Sequence, residues 1–223
     1  MNIAAIGTGI VGQTLATARA AKGHEIVFGT REPVADRISA IVKACGTSAS
    51  ATLVERCHAG ADAVLLAVPV GNAVEIASNT GDLSGKVLTD ANNPIGDDMM
   101  PFTEAGESLA ELIAKATGAR VVKAFNTIGM GNVAELTFGS QRAAGFVCGD
   151  DADAKSLTLG LASEIGFDAV DCGPLAAARW LEPKALMWIR LAYVENNGPD
   201  IAFGLLRRGE HTLPKLALLL PPH

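Results

Sequence analysis

Aromatic residues make up only 4% of this 223-residue chain, with 2 tryptophans, 1 tyrosine and 7 phenylalanines, although apolar residues as a whole reach 49%. A core so short of rings must be built from Ala, Val, Leu and Ile, which suits helices laid closely on a buried parallel sheet. Cysteine is sparse and scattered: Cys45, Cys57, Cys148 and Cys172 form no Cys-x-x-Cys pair. That spacing argues against a zinc site or a disulfide framework and for buried free thiols in a reducing compartment. Basic clusters are missing and the net charge is −6, so nucleic acid is not expected as a main partner. No apolar run approaches the roughly 18 residues that a membrane span needs. A strand read from residue 2 leaves no room for a signal peptide. The expectation is a soluble, cytoplasmic protein with no membrane partner, of a length that suits one large α/β domain with at most a small appendage.

What is present is alternation. Asn2–Ile6 is an apolar run that ends in glycines and reads as a buried strand. Ile10–Lys22 reads as a helix that stops at Gly23, His24–Phe28 as a second strand, and Pro33–Ala44 as the next helix. Further strands are read at Ser48–Ala51, Asp62–Val68, Lys86–Asp90, Arg120–Ala124, Ala144–Cys148 and Ala169–Cys172. Between them, helices are read at Leu53–Cys57, Val70–Ser78, Ser108–Thr117 and Asp151–Ile165, with a short one near Val133–Leu136. Strands alternating with helices imply parallel pairing through right-handed crossovers, a doubly wound α/β Rossmann sheet. From Leu175 to about Arg208 the pattern is helical without strands and carries Trp180, Leu181, Leu186, Trp188, Ile189 and Leu191. The expected organisation is a nucleotide-binding domain over 1–173, a helical segment over 174–208 packing on the sheet or on a dimer partner, and a tail over 209–223.

The turn after the first strand is Gly7-Thr8-Gly9-Ile10-Val11-Gly12. A lone Gly-x-Gly-x-x-Gly is a weak signal, but here it follows a strand and opens a helix, the context that a dinucleotide fingerprint needs. Gly7 permits the tight turn, Gly9 lets backbone amides approach a pyrophosphate, and Gly12 lets helix and strand pack closely. An NAD-specific site carries a carboxylate about 20 residues beyond this turn, at the end of the second strand. This chain has Gly29-Thr30-Arg31 there, a hydroxyl and a guanidinium suited to a 2′-phosphate, followed by Glu32. NADP(H) is therefore the expected dinucleotide.

Further motifs follow in order: Ala67-Val68-Pro69, Lys123-Ala124-Phe125-Asn126-Thr127-Ile128, Val147-Cys148-Gly149-Asp150-Asp151 and Asp171-Cys172-Gly173-Pro174-Leu175. Together with the glycine turn and Gly29-Thr30-Arg31, the set resembles the family of NADPH-dependent reductases of coenzyme F420, an 8-hydroxy-5-deazaflavin. It is also similar to the cytosolic NADPH domain of six-transmembrane epithelial ferric reductases. The resemblance covers roughly residues 1–208. It implies that Thr8, Thr30 and Arg31 hold the adenosine 2′-phosphate and that Ala67, Val68 and Pro69 line the dinucleotide. It further implies that Phe125, Asn126 and Thr127 sit beside the nicotinamide, where a second redox ring stacks, and that Gly173, Pro174 and Leu175 border that ring. Deazaflavin reductases tend to carry His-Thr where this chain has Asn126-Thr127, whereas Phe-Asn-Thr-Ile is closer to the ferric-reductase domains, which use a flavin. The second cofactor is accordingly expected to be coenzyme F420 or FAD/FMN.

Residue types that other oxidoreductases need are scarce. Hydride transfer between two stacked rings depends on proximity and orientation more than on a general acid or base. The only tyrosine is Tyr193, so no Tyr-x-x-x-Lys pair exists, and His24, His58, His211 and His223 all read as structural or surface residues. Lys123 and Lys184 are weaker candidates for an acid or an anion contact, and Trp180 and Trp188 read as helix packing. No catalytic side chain and no metal ligand is assigned. The alternatives are an NADPH-dependent reductase of a small carbonyl or imine, which needs a proton donor near the nicotinamide, and a non-catalytic NADP(H) sensor. Apolar residues in the terminal helices, including Phe203 and Leu205, make a homodimer the expected assembly.

Overall fold

Apolar runs in the first half of the chain become strands of a single sheet because each is flanked by helices that cover both of its faces. The structure is a computed structural model that describes residues 1–96 and 106–207. It contains β1 (Asn2–Ile6), α1 (Ile10–Ala20), β2 (Glu25–Thr30), α2 (Asp36–Cys45), β3 (Ala49–Leu53), α3 (Val54–Cys57), β4 (Ala63–Leu66), α4 (Ala73–Ser78) and β5 (Val87–Asp90). The chain continues through α5 (Leu109–Thr117), β6 (Arg120–Lys123), a hairpin of β7 (Thr137–Phe138) and β8 (Gln141–Arg142), β9 (Ala144–Gly149), α6 (Ala152–Glu164), β10 (Asp168–Asp171) and α7 (Ala178–Ile189). Sheet order is β10-β9-β6-β5-β4-β1-β2-β3. Strand order reverses between β1 and β4, the switch point at which open α/β sheets form a ligand crevice.

Side chains alternate across the sheet as the strand period requires. Ile3, Ala5, Ile26, Phe28 and Val122 face Leu15, Ala16, Ala154 and Leu161 of α1 and α6. Ala4, Ile6, Val64, Leu66, Leu88 and Val121 face Ala73, Ala77, Leu109, Ile113, Ala178 and Leu181 of α4, α5 and α7. Local chemistry sets the helix ends. Ser108 caps α5 in a capping box with Glu111, and Gly118 closes the same helix at φ 64°. Arg179 of α7 donates two hydrogen bonds to Glu111, at 2.9 and 2.7 Å. That contact, with help from Ser108, holds the Glu111 carboxyl down at about 2.

Two expectations are corrected. Pairing is parallel from β3 to β6, but β6 and β9 run antiparallel, with Val122 opposite Gly149 and Lys123 opposite Cys148. The connection between them holds a 3₁₀ turn (Met130–Ala134) and the small hairpin, with no crossover helix to return the chain to the far edge of the sheet. The next strand therefore enters from the near edge, and α6 then supplies a parallel partner, β10. The terminal helix also ends early. After α7 a wide turn spans Arg190–Val194, and residues 195–207 are not helical. Asn196 at φ 56° and Gly198 at φ 78° turn the chain back, and Phe203 accepts a hydrogen bond from the Ala144 amide. The tail over 209–223, with His211 and His223, lies outside the described residues.

Candidate functional site

A cleft of about 830 Å³ crosses the C-terminal ends of β2, β1, β4 and β5. Gly7, Thr8, Gly9, Ile10 and Val11 form its floor at the start of α1, and Ala67, Val68 and Pro69 form the wall beyond β4. A Cβ on Gly7, which sits at φ +110°, would fall 1.9 Å from the Ala67 carbonyl oxygen. One on Gly12 would fall 2.1 Å from the Gly7 oxygen, so both glycines are fixed by backbone packed against backbone. Gly9 differs, because a Cβ there would meet nothing within 4 Å. Its backbone faces open space, and it caps a helix with no side-chain cap and no acidic residue in the first turn. Amides of that turn are free to receive an anion, as a pyrophosphate site requires. The residues present fit a dinucleotide.

The end of the cleft over β2 is cationic. Thr30, Arg31 and Arg37 line it, and Arg37 Nη1 donates to Thr8 Oγ1 at 3.3 Å. Glu32 is exposed and does not line the cleft. Sequence reasoning missed Arg37 because it depends on where α2 begins. Pro33 suggested the first turn, but Asp36 opens the helix, and this brings Arg37 to the Thr8 loop. Glu55 and Glu75 also reach the cleft and were likewise not anticipated.

The opposite end lies over β5 and is built on buried charge. Lys123 is fully buried, and its Nζ donates to Asp90 Oδ2 at 2.8 Å, to Glu182 Oε1 at 2.9 Å and to the Asn92 carbonyl oxygen. Burial alone would pull the ammonium pKa down, but the Asp90 and Glu182 carboxylates outweigh it and hold Lys123 above the ordinary lysine range. Glu182 also accepts from the Leu109 and Ala110 amides, so a carboxylate from α7 sits on the N-terminus of α5. Asn92 is locked into the same network. Its Oδ1 accepts from the Val68 amide at 2.9 Å, and its Nδ2 donates to Asp90 Oδ1 at 2.8 Å. The cleft wall at Val68 is thus tied through Asn92 to a lysine that never meets solvent.

Not every anticipated residue reaches the cleft wall. Phe125 lies in the core at φ 62°, tilted against Phe167 at 5.8 Å and covered by the Arg19 guanidinium at 5.0 Å. Asn126 sits behind the wall, donating from Nδ2 to Leu181 O at 2.9 Å and to Asn93 Oδ1 at 2.8 Å. Its own Oδ1 is buried with no partner among the described residues. Thr127 is buried, and Leu175 is buried with its amide donating to Asp150. None of these four lines the cleft, whereas Asn93 does.

Comparisons with known proteins bear directly on this geometry. The model of the family described as "NADP oxidoreductase coenzyme F420-dependent" matches residues 2–94. An F420-dependent NADP reductase of Methanothermobacter thermautotrophicus is 32% identical over 207 residues, 86% of this chain and 89% of that protein. The chain belongs to this family. A putative F420-dependent NADP reductase of Arthrobacter sp. FB24 superposes with a TM-score of 0.83 at 30% identity, over 93% of this chain and all of that one. Metalloreductase STEAP3 of Rattus norvegicus is 29% identical over 178 residues, 79% of this chain but 35% of that longer protein.

Several other titratable groups lie away from the cleft lining. His24 meets Glu164 at 2.7 Å, and His58 packs so close to Gly81 that a Cβ there would fall 2.2 Å from its ring. The four thiols are free, and burial pushes Cys148 up to about 12 and Cys57 to about 11. Lys184 rests on the rings of Phe146 and Phe203, at 4.8 and 3.7 Å. Trp188 is buried and donates to Ile201 O at 2.8 Å, whereas Trp180 is exposed, contrary to its expected packing role. No helix among the described residues is long and apolar enough to cross a membrane.

Proposed function

We propose that the chain passes hydride between NADP(H), seated in the cleft, and the deazaflavin coenzyme F420. The observation that carries the nucleotide half is the cationic corner of Thr30, Arg31 and Arg37 beside an uncapped helix N-terminus at Gly9. The family supports the deazaflavin half, since its curated members are named for that coenzyme. When bound, the nicotinamide and the deazaflavin supply the hydride-donating and hydride-accepting carbons. The work of the chain is to bind, orient and keep water out. Backbone amides at Gly9 to Val11 hold the pyrophosphate, Arg31 and Arg37 hold the 2′-phosphate, and Ala67, Val68 and Pro69 flank the nicotinamide side. Among the described residues that line the cleft there is no histidine, lysine or tyrosine. This accords with a reaction in which proximity does most of the catalysis. We assign residues 1–173 to nucleotide binding and 174–208 to the cap on the acceptor side.

The test is NADPH oxidation with oxidised F420, with FAD, with FMN and with no acceptor. Turnover with F420 well above the others is expected. Turnover with FAD or FMN alone would move the reading to a flavin reductase. Tight NADPH binding with no turnover on any of the three would leave a nucleotide sensor in place of an enzyme.

We also propose that α7 forms the contact of a homodimer. Trp180 and Met187 lie seven residues apart on α7 and are 79 and 53% exposed, and Val194, in the wide turn that follows, is 57% exposed. Light scattering at micromolar concentration should give twice the 22.9 kDa chain mass, falling to one chain for Trp180→Glu. A wild-type mass of one chain rules the dimer out.

A further inference from the structure

We infer that Asn93 is the residue that recognises the carboxamide of the nicotinamide. The inference rests on the NADP(H) reading above and names a contact within it. A dinucleotide that straddles the switch point with its pyrophosphate on α1 must put one nucleoside over β2 and the other over β4 and β5. The 2′-phosphate chemistry of Arg31 and Arg37 assigns the adenosine to the β2 end, which leaves Ala91, Asn92 and Asn93 at the nicotinamide end. A nicotinamide ring differs from a bare aromatic ring by one carbonyl acceptor and two N–H donors, so its recognition needs a side chain with both capacities free.

Asn92 has no N–H to spare. Its Oδ1 takes the Val68 amide, its Nδ2 serves Asp90 and Leu66, and its carbonyl takes Lys123. Asn93 is held just as firmly but, among the described residues, is only half used. Its Nδ2 donates to the Asn126 carbonyl at 2.9 Å, and its Oδ1 accepts from Asn126 Nδ2 at 2.8 Å. The carbonyl of Asn126 can only accept, which fixes which end of the Asn93 amide faces it. Among the described residues, one N–H and one lone pair of Asn93 remain unused, with a set polarity. The N–H can donate to the carbonyl of a primary carboxamide, and the lone pair can accept from its nitrogen. Asn126 is itself buried and pinned to Leu181 O of α7, so the pair is preorganised. Asn72, Glu75 and Asn79 also reach the cleft, but they are exposed and not fixed by a buried partner. This gives Asn126 an indirect role: it positions Asn93.

The experiment measures equilibrium binding of NADP⁺, its 3-acetylpyridine analogue and 2′-phospho-ADP-ribose, which lacks the ring. The analogue keeps the carbonyl and replaces the amide nitrogen with methyl. Wild type should prefer NADP⁺ over the analogue by about threefold to tenfold, the size of one net hydrogen bond. Asn93→Ala should erase that preference while leaving 2′-phospho-ADP-ribose unchanged, which also reports that the variant is folded. Asn93→Asp, which loses the N–H donors but keeps an oxygen acceptor, serves as the second variant, and it should weaken NADP⁺ and the analogue alike while the preference between them remains. A preference that survives Asn93→Ala overturns the assignment, as does wild type binding NADP⁺ and its analogue equally, or Asn93→Asp binding both as tightly as wild type. If 2′-phospho-ADP-ribose itself fails to bind wild type, the NADP(H) reading fails first and this contact with it.

Discussion

Lys123→Met should cost about 3–5 kcal/mol of folding stability, the scale for removing one partner from a buried ion pair. That is a large share of the roughly 5–15 kcal/mol that holds a typical domain together. The side chain is fully buried, so its loss strands the carboxylates of Asp90 and Glu182 without their shared cation. Urea denaturation should register a lower midpoint at an unchanged slope. A triple variant with Asp90→Asn and Glu182→Gln added should recover much of the loss, because the uncompensated charge is then gone. A loss under about 1 kcal/mol for the single variant would mean that the pair is not desolvated as described. The pH dependence has a definite sign. Because the folded pKa of Lys123 is raised, its contribution is complete below the unfolded lysine value of about 10.4 and fades only as pH climbs through the folded one. Near neutral pH this contribution is constant, so Lys123 should add no slope to the dependence of stability on pH.

The same network shows why a residue's type can be read from sequence while its role cannot. Lys123 ends the strand β6 just before the Phe-Asn-Thr loop, a position from which it could have met a substrate. What decides otherwise is Glu182, 59 positions away on α7. The apolar runs from β1 to β6 and the glycine turn were legible because period and turn chemistry are local. The antiparallel entry of β9 was not, since it depends on a missing crossover between Lys123 and Ala144 and not on anything in the strand itself. The early end of the terminal helix was legible in principle. Asn196-Asn197-Gly198-Pro199 is a stop signal of the usual kind, with Asn196 and Gly198 both at positive φ. Trp180 is a different case: apolar residues at helical spacing predicted burial, and the helix instead turns that ring outward. The cleft itself was half visible. Its floor and its Thr30-Arg31 corner follow from the fingerprint, but Arg37 and Asn93 come to it only through the packing of α2 and the Asn126 loop.

Arg37 raises the expected effect at the phosphate corner. Losing Arg31 alone should weaken NADPH binding about tenfold to a hundredfold, the range for a hydrogen bond to a charged group. Arg31→Ala with Arg37→Ala should weaken it by roughly a hundredfold to ten-thousandfold if the two contacts are independent, and by less if both side chains serve one phosphate oxygen. Arg37 Nη1 donates to Thr8 Oγ1 at 3.3 Å, which places it beside the phosphate turn. Binding of NADH, which lacks the 2′-phosphate, should change little in either variant. Both guanidinium groups are exposed, so added salt should narrow the NADPH preference of wild type and leave that of the double variant flat. Dissociation constants for the two nucleotides, measured by quenching of protein fluorescence at low and high salt, give the comparison. Equal weakening of NADPH and NADH would show that these arginines support the fold of the turn and do not read the phosphate. An NADPH preference that persists in the double variant would move the selectivity to Thr8 and Thr30, the two hydroxyls left beside the same turn.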